Sequence, residues 1–232
     1  MTAKSLSEIV REYVSTRPCI LEALKMRIAN YSALARLIAE YCIKENLEVK
    51  VSTPAIKMAL KRFVEKLSAE YSSLESKILK ILASSSLYLI NDITVFTVEG
   101  QLTHSFSDKI AALKPRFLQL TQSLGYVTVM IDQETFEKLK KFLGKTLLNA
   151  HTVEVLRDQT AILIKSPREI IETPGVIAHM LSALAHHGVN ITQFISCHTD
   201  TILIINRREA LKAYTVLEKL ILSARRLVKT SA

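Results

Sequence analysis

The apolar residues of this chain change period near residue 85, and that change constrains its architecture more than any other feature. Upstream they recur at three- and four-residue intervals. Downstream they gather into β-branched and aromatic runs that alternate with helical spacing. The upstream part reads as helices only. Ser5-Leu6-Ser7-Glu8 has the capping-box spacing, and Leu6, Ile9, Val10, Tyr13 and Val14 follow on one helical face. Arg17-Pro18 breaks that pattern. A second helix is predicted with Leu21, Leu24 and Ile28 on one face. Asn30 and Ser32 then offer starts for a third carrying Leu34, Ile38, Tyr41 and Cys42. A turn at Glu45-Asn46 leads to Val49 and Val51. Ser52-Thr53-Pro54 opens a fourth helix, with Ile56, Leu60, Phe63, Val64 and Leu67 as its stripe. The polar stretch 68–76 extends that helix or forms a linker.

Leu87 to Val98 is rich in Tyr, Ile, Val and Phe, which favours strands. Beyond it, strands are predicted at Phe117–Thr121, Tyr126–Ile131, Val153–Leu156, Ala161–Lys165, Ile191–Ser196 and Thr201–Ile205, with a last short one at Arg226–Lys229. Helices are predicted near Phe106–Leu113, and at Glu134–Leu143, Pro174–His187 and Arg208–Leu222. A shift of 74 positions lays Gln119 on Gln193, Ile131 on Ile205 and Leu143 on Leu217, and the order strand–turn–strand–helix matches throughout. Both copies fit a βαββαβ unit.

Composition narrows the class. An apolar fraction of 49% with 23% charged residues describes an ordinary globular chain, and 5 Gly and 5 Pro leave little room for low complexity. No apolar run approaches the ~20 residues of a spanning helix, and the polar start at Met1-Thr2-Ala3-Lys4-Ser5 is unlike a secretory signal. Cys19, Cys42 and Cys197 form neither a disulfide framework nor a metal-ligand spacing, so a cytoplasmic, reducing setting is expected. Cys19 and Cys42 read as small buried hydrophobes. The formal charge of +9 is unevenly spread. Residues 1–80 hold 14 basic against 9 acidic side chains, which makes this third the place to look for an anionic partner.

The most informative segment runs from 161 to 217. A buried strand, Ala161-Ile162-Leu163-Ile164, leads into the loop Ser166-Pro167-Arg168-Glu169-Ile170-Ile171-Glu172. Thr173-Pro174-Gly175-Val176 then enters a helix, with Thr173 as N-cap and Pro174 as the first helical residue. That helix stops at Gly188, and Val189-Asn190-Ile191 returns to the sheet. Free amides at such a helix start suit the carboxylate of a small ligand.

The stretches Thr173-Pro174-Gly175-Val176-Ile177, Gly188-Val189-Asn190-Ile191 and Ile202-Leu203-Ile204-Ile205 resemble the ACT domain, which is appended to amino-acid biosynthetic enzymes and some transcription regulators. The resemblance covers roughly 160–230 in motif and 86–150 in pattern alone. It implies a βαββαβ fold, domains paired into a continuous sheet, and amino acids or related metabolites bound where two domains meet. Carried over, backbone groups from Glu172 through Thr173, Pro174 and Gly175 to Val176 hold the ligand. The Asn190 side chain bonds its polar head and Ile191 walls the site. The first copy lacks both motifs and serves as a structural partner. A Pro-Gly helix start and a Gly-x-Asn-Ile exit also occur in oligomerisation modules without a ligand.

The fold class expected is therefore α+β, an N-terminal all-α, helix-turn-helix-like domain (1–80) followed by two βαββαβ ferredoxin-like ACT domains (81–156, degenerate, and 157–232). Lys57, Lys61 and Arg62 of the fourth helix are candidates for phosphate contacts on double-stranded DNA. They flank an apolar stripe, as lysines of any amphipathic helix do, and a dimerisation or partner-binding domain reads equally well. His179, His186, His187, Cys197 and His198 match no strong metal spacing, and Ser196–Thr201 reads as a turn rather than a nucleophile cluster. No cofactor, catalytic set or membrane partner is expected. The chain reads as a ligand-responsive, homo-oligomeric transcription regulator, or alternatively as the regulatory subunit of an amino-acid biosynthetic enzyme without DNA binding.

Overall fold

The computed structural model describes residues 4–47, 52–100, 104–141 and 152–230, with side chains throughout except at 67–72, 104–107 and 152. Val49, Val51, the end of the helix expected at Glu134–Leu143, and the side chains of Leu67 and Phe106 lie outside the described residues. The chain divides into two compact units, Met1–Lys77 and Ile78–Ala232.

The first unit is helical. Its helices are α1 (Leu6–Ser15), α2 (Pro18–Lys25), α3 (Tyr31–Lys44) and the opening of α4 (Thr53–Ser84). The local signals place the starts. Ser5 and Glu8 form a capping box, Pro18 opens α2, and the Asn30 side chain accepts from the Ser32 and Ala33 amides. Ile9, Val10, Val14, Leu24, Ile38, Ile56 and Leu60 make the core. At its edge the Arg17 guanidinium lies 3.7 Å over the Tyr13 ring. Two expectations fail here. Ile28 is 71% exposed, because α2 stops at Lys25 and Arg27 turns the chain with φ 58. Cys19 is exposed, whereas Cys42 is buried and its thiol is pushed up by that burial. The polar stretch 68–76 belongs to α4, which runs unbroken to Ser84.

The second unit is one six-stranded antiparallel sheet with helices. In chain order it holds β1 (Ser86–Glu99), α5 (His104–Ala112), β2 (Leu118–Gln122), β3 (Tyr126–Asp132), α6 (described over 133–141), β4 (Thr152–Lys165), α7 (Val176–His186), β5 (Gln193–Cys197), β6 (Asp200–Asn206) and α8 (Arg207–Thr230). The strand order is β2-β3-β1-β4-β6-β5. The two central strands are long and each serves both ends of the sheet. The first part of β1 pairs with the last part of β4 (Ser86 with Lys165, Ile90 with Ala161), and its last part pairs with the beginning of β4 (Phe96 with Val155). The register slips between Ile90 and Val95, where Asp92 (φ 62) and Asp158 (φ 54) form facing bulges. The break expected between Leu156 and Ala161 is therefore a kink within one continuous strand.

Some elements recur at the spacing of 74 noted in the sequence. β6 follows β3 by 74 residues, as α8 follows the start of α6. Lys114 (φ 51) and Gly188 (φ 66), also 74 apart, both leave a helix through the left-handed region. One sheet face carries Phe96, Val127, Val129 and Ile131 against Ile110 of α5 and Phe136 and Leu139 of α6. The opposite face carries Ile93, Val95, Met130, Ala161, Ile202 and Ile204, all buried with no helical residue in the cluster. The strand expected at Arg226–Lys229 does not form. α8 continues to Thr230, and the place beside β4 is taken by the first part of β1.

Candidate functional site

The loop between β4 and α7 builds the site. Ser166 leaves the sheet with its amide bonded to Thr199 O at 3.0 Å. A 3₁₀ turn at Arg168–Ile171 buries Ile170, and Glu172 closes it by donating its amide to Glu169 O. Thr173 and Pro174 stand outside the helix. The N-cap is Gly175, at φ 94, and Val176 is the first helical residue, which corrects the expectation for Thr173 and Pro174. Only glycine enters this left-handed conformation without cost. Glycine has no side chain to offer, and no side chain caps α7 among the described residues. The first intrahelical bond is His179 N to Gly175 O at 2.9 Å, and among the described residues the amides of Val176, Ile177 and Ala178 have no acceptor.

Of the bend residues, Glu172, Pro174 and Gly175 are exposed, Thr173 is half-buried and Val176 is buried in the core. Val176 packs inward with no exposed surface, Ile177 is half-buried, and Ala178 at the same helix start is exposed. Asn190 is exposed and its amide donates to Glu209 Oε2 at 3.4 Å, and Ile191 is half-buried. The two parts of the motif do not meet within the unit. They flank α7, whose 11 residues span about 16 Å at 1.5 Å per residue.

Residues 154–219 match the ACT domain family. The matched span runs from β4 into α8 and so contains the bend, the exit after Gly188 and the hairpin of β5 and β6. No curated protein matches the chain. Among solved structures, the Clostridium acetobutylicum aspartate kinase superposes with a TM-score of 0.49 at 16% identity, over 59% of this chain and 34% of that one. The regulatory subunit of aspartate kinase from Thermus thermophilus gives 0.46 at 17% identity, over 59% and 98%. E. coli aspartokinase III, solved with aspartate and ADP, gives 0.46 at 15% identity, over 59% and 33%. This chain thus corresponds to about a third of the two full-length kinases.

The other candidates fall in separate places. His187 Nδ1 lies 2.8 Å from Ala183 O, the bond expected of an imidazole at a helix end. Cys197 ends β5 and His198 turns toward β6 with φ 56. Among the described residues no three His, Cys, Asp or Glu side chains are grouped to hold a metal ion, and no helix is long and apolar enough to cross a membrane. On α4, Ile56, Leu60 and Val64 face the core, Lys57 is half-buried, and Lys61 and Arg62 are exposed.

Sequence reasoning missed the residues that pack against the bend and its loop. Ile78 lies against Gly175, and a Cβ there would come within 3.2 Å of its Cδ1. Ser85 and Ser166 pair in the interior. Nothing in their local sequence marks them, because each partner is 80 or more residues away.

Proposed function

We propose that this protein is a regulatory subunit which binds an amino acid or related small metabolite at the β4–α7 bend. The observation that carries the proposal is the left-handed Gly175 cap, after which the Val176, Ile177 and Ala178 amides have no acceptor among the described residues. Together with the helix dipole they suit a carboxylate. The backbone from Glu172 through Thr173 and Pro174 holds the ligand main chain, while Asn190 and Ile191 come from a second copy of the unit. In this reading the second unit of the chain is two interleaved ACT-like modules. β1 and β4 each lend half their length to either module, and the first module carries Arg116 where the second has Asn190. The three free cysteines suit a reducing compartment.

The test is a thermal-shift screen of the twenty amino acids on the full chain. A binder at about 100 times its dissociation constant stabilises by ~2.7 kcal/mol. Asn190→Ala, at an exposed position, abolishes that shift without lowering the ligand-free melting temperature. No shift with any amino acid would sink the proposal.

For the output of the site, we favour association with an amino-acid biosynthetic enzyme, read out as co-purification with that one enzyme free of nucleic acid. The exposure of Lys61 and Arg62 on one turn of α4 favours a second output, contact with duplex DNA. If that operates, Lys61→Ala with Arg62→Ala weakens duplex binding and lowers its salt slope by about two. Absence of salt-sensitive binding to any duplex excludes it.

A further inference from the structure

The β4–α7 loop rests at both ends on the last turns of α4. At its start the Ser166 and Ser85 hydroxyls lie 3.0 Å apart, both buried. Ser85 Oγ donates to Ile81 O at 2.8 Å, so its one hydrogen is used and Ser166 must be the donor in the pair. At its end Gly175 packs on Ile78. Arg225 of α8 closes the same helix end, with Nε donating to Ala83 O at 2.9 Å and its Nη2 to Ser85 O at 3.0 Å. Ile78, Ile81 and Leu82 are buried beneath these contacts.

A helix C-terminus ordinarily frays at little cost. Here fraying breaks the interior hydroxyl pair, strands the Ser166 donor and exposes Ile81 and Leu82. The loop in turn cannot leave without uncovering Ile78. We infer that residues Ile78–Ser85 and the β4–α7 loop open and close as one cooperative unit, so that occupation of the bend is registered as a change in stability of the α4 end. The trigger rests on the ligand reading proposed above, while the coupling stands on these contacts alone. By linkage, whatever steadies the α4 end also tightens the bend for its ligand.

Native-state hydrogen exchange on the full chain tests both parts. Without added amino acid, Ser166→Ala speeds exchange about fivefold or more at the amides of residues 82–85 and, by the same factor, at Ile170 and His179. The β2–β3 hairpin is unchanged. Arg225→Ala, acting on the Ala83 and Ser85 carbonyls rather than on the loop, also speeds Ile170 and His179. Faster exchange in the mutated element alone, for both variants, overturns the coupling. Each of the twenty L-amino acids is then added singly at a fixed millimolar concentration. One that raises the melting temperature slows exchange at residues 82–85 together with the loop, and protection confined to the loop overturns the inference while leaving the ligand reading intact. If none raises the melting temperature, the ligand reading fails and the two variants still decide the coupling.

Discussion

Gly175 shows what a single residue contributes to the bend. At φ 94 any side chain is strained, and a Cβ would press on Ile78 Cδ1 at 3.2 Å. Gly175→Ala is expected to destabilise the second unit by about 1–2 kcal/mol, measured by urea unfolding. Asp132 is the second such residue. Burial opposes ionisation of its carboxyl. Even so, bonds from the Thr135 amide and hydroxyl and from the Phe117 and Arg116 amides outweigh that and hold it below the usual carboxylate range. A depressed folded pKa contributes stability that is present above the unfolded value near ~3.9 and lost as pH falls through the folded one. The gap in unfolding free energy between the native protein and Asp132→Asn should therefore be constant from neutral pH down to about 4 and narrow below it. The Pro-Gly pair was legible in the sequence but its register was not. Thr173-Pro174-Gly175 allows a helix start at either end, and the choice of Gly175 depends on Ile78, 97 residues away.

At the scale of elements, the amphipathic helices were legible because their periodicity is local, and the capping residues Ser5 and Asn30 do what their chemistry dictates. The long strands were not. Asn91-Asp92 and Arg157-Asp158 interrupt apolar runs just as turn residues do, yet both sites are bulges in continuous strands. Polar residues fit there because a bulge frees backbone and side chains for local partners. Asn91 Oδ1 accepts from Thr160 at 3.0 Å, Asp92 pairs with Arg207, and Arg157 pairs with Glu137 at 2.8 Å. Asp158 is exposed with φ 54. Asp158→Gly is expected to change stability by less than ~1 kcal/mol, whereas Asp158→Val costs about 1–2 kcal/mol, because a β-branched side chain is poorly tolerated in the left-handed region. Equal effects of the two in thermal unfolding would mean that the kink is not set by backbone conformation. The missing last strand has the same origin. Local pattern at Arg226–Lys229 allowed a strand, but the sheet position was already filled by β1.

For the molecule as a whole, the decisive length is that of α7. Its 11 residues put the bend and Asn190 about 16 Å apart. In the reading proposed above, one free amino acid, even with its side chain extended, falls short of that span and so meets only one part of the motif within a unit. In the same reading the first half of the sheet does not complete the site either, since Arg116 stands 74 positions before Asn190. The site of that reading is shared between two copies, each giving its bend to the other's Asn190. Isologous pairing of this kind makes a sharp prediction. Gly175→Ala disables the bend and Asn190→Ala the head-group contact, so neither variant alone binds the amino acid found in the screen. Unfolded together and refolded as a mixture, they form mixed dimers that hold one intact and one doubly defective site. Random assortment then restores about a quarter of the native binding capacity by calorimetry, at native affinity. Mixed dimers that form, as judged by differently tagged copies, and yet bind nothing would place both halves of the site on one chain and refute the shared arrangement.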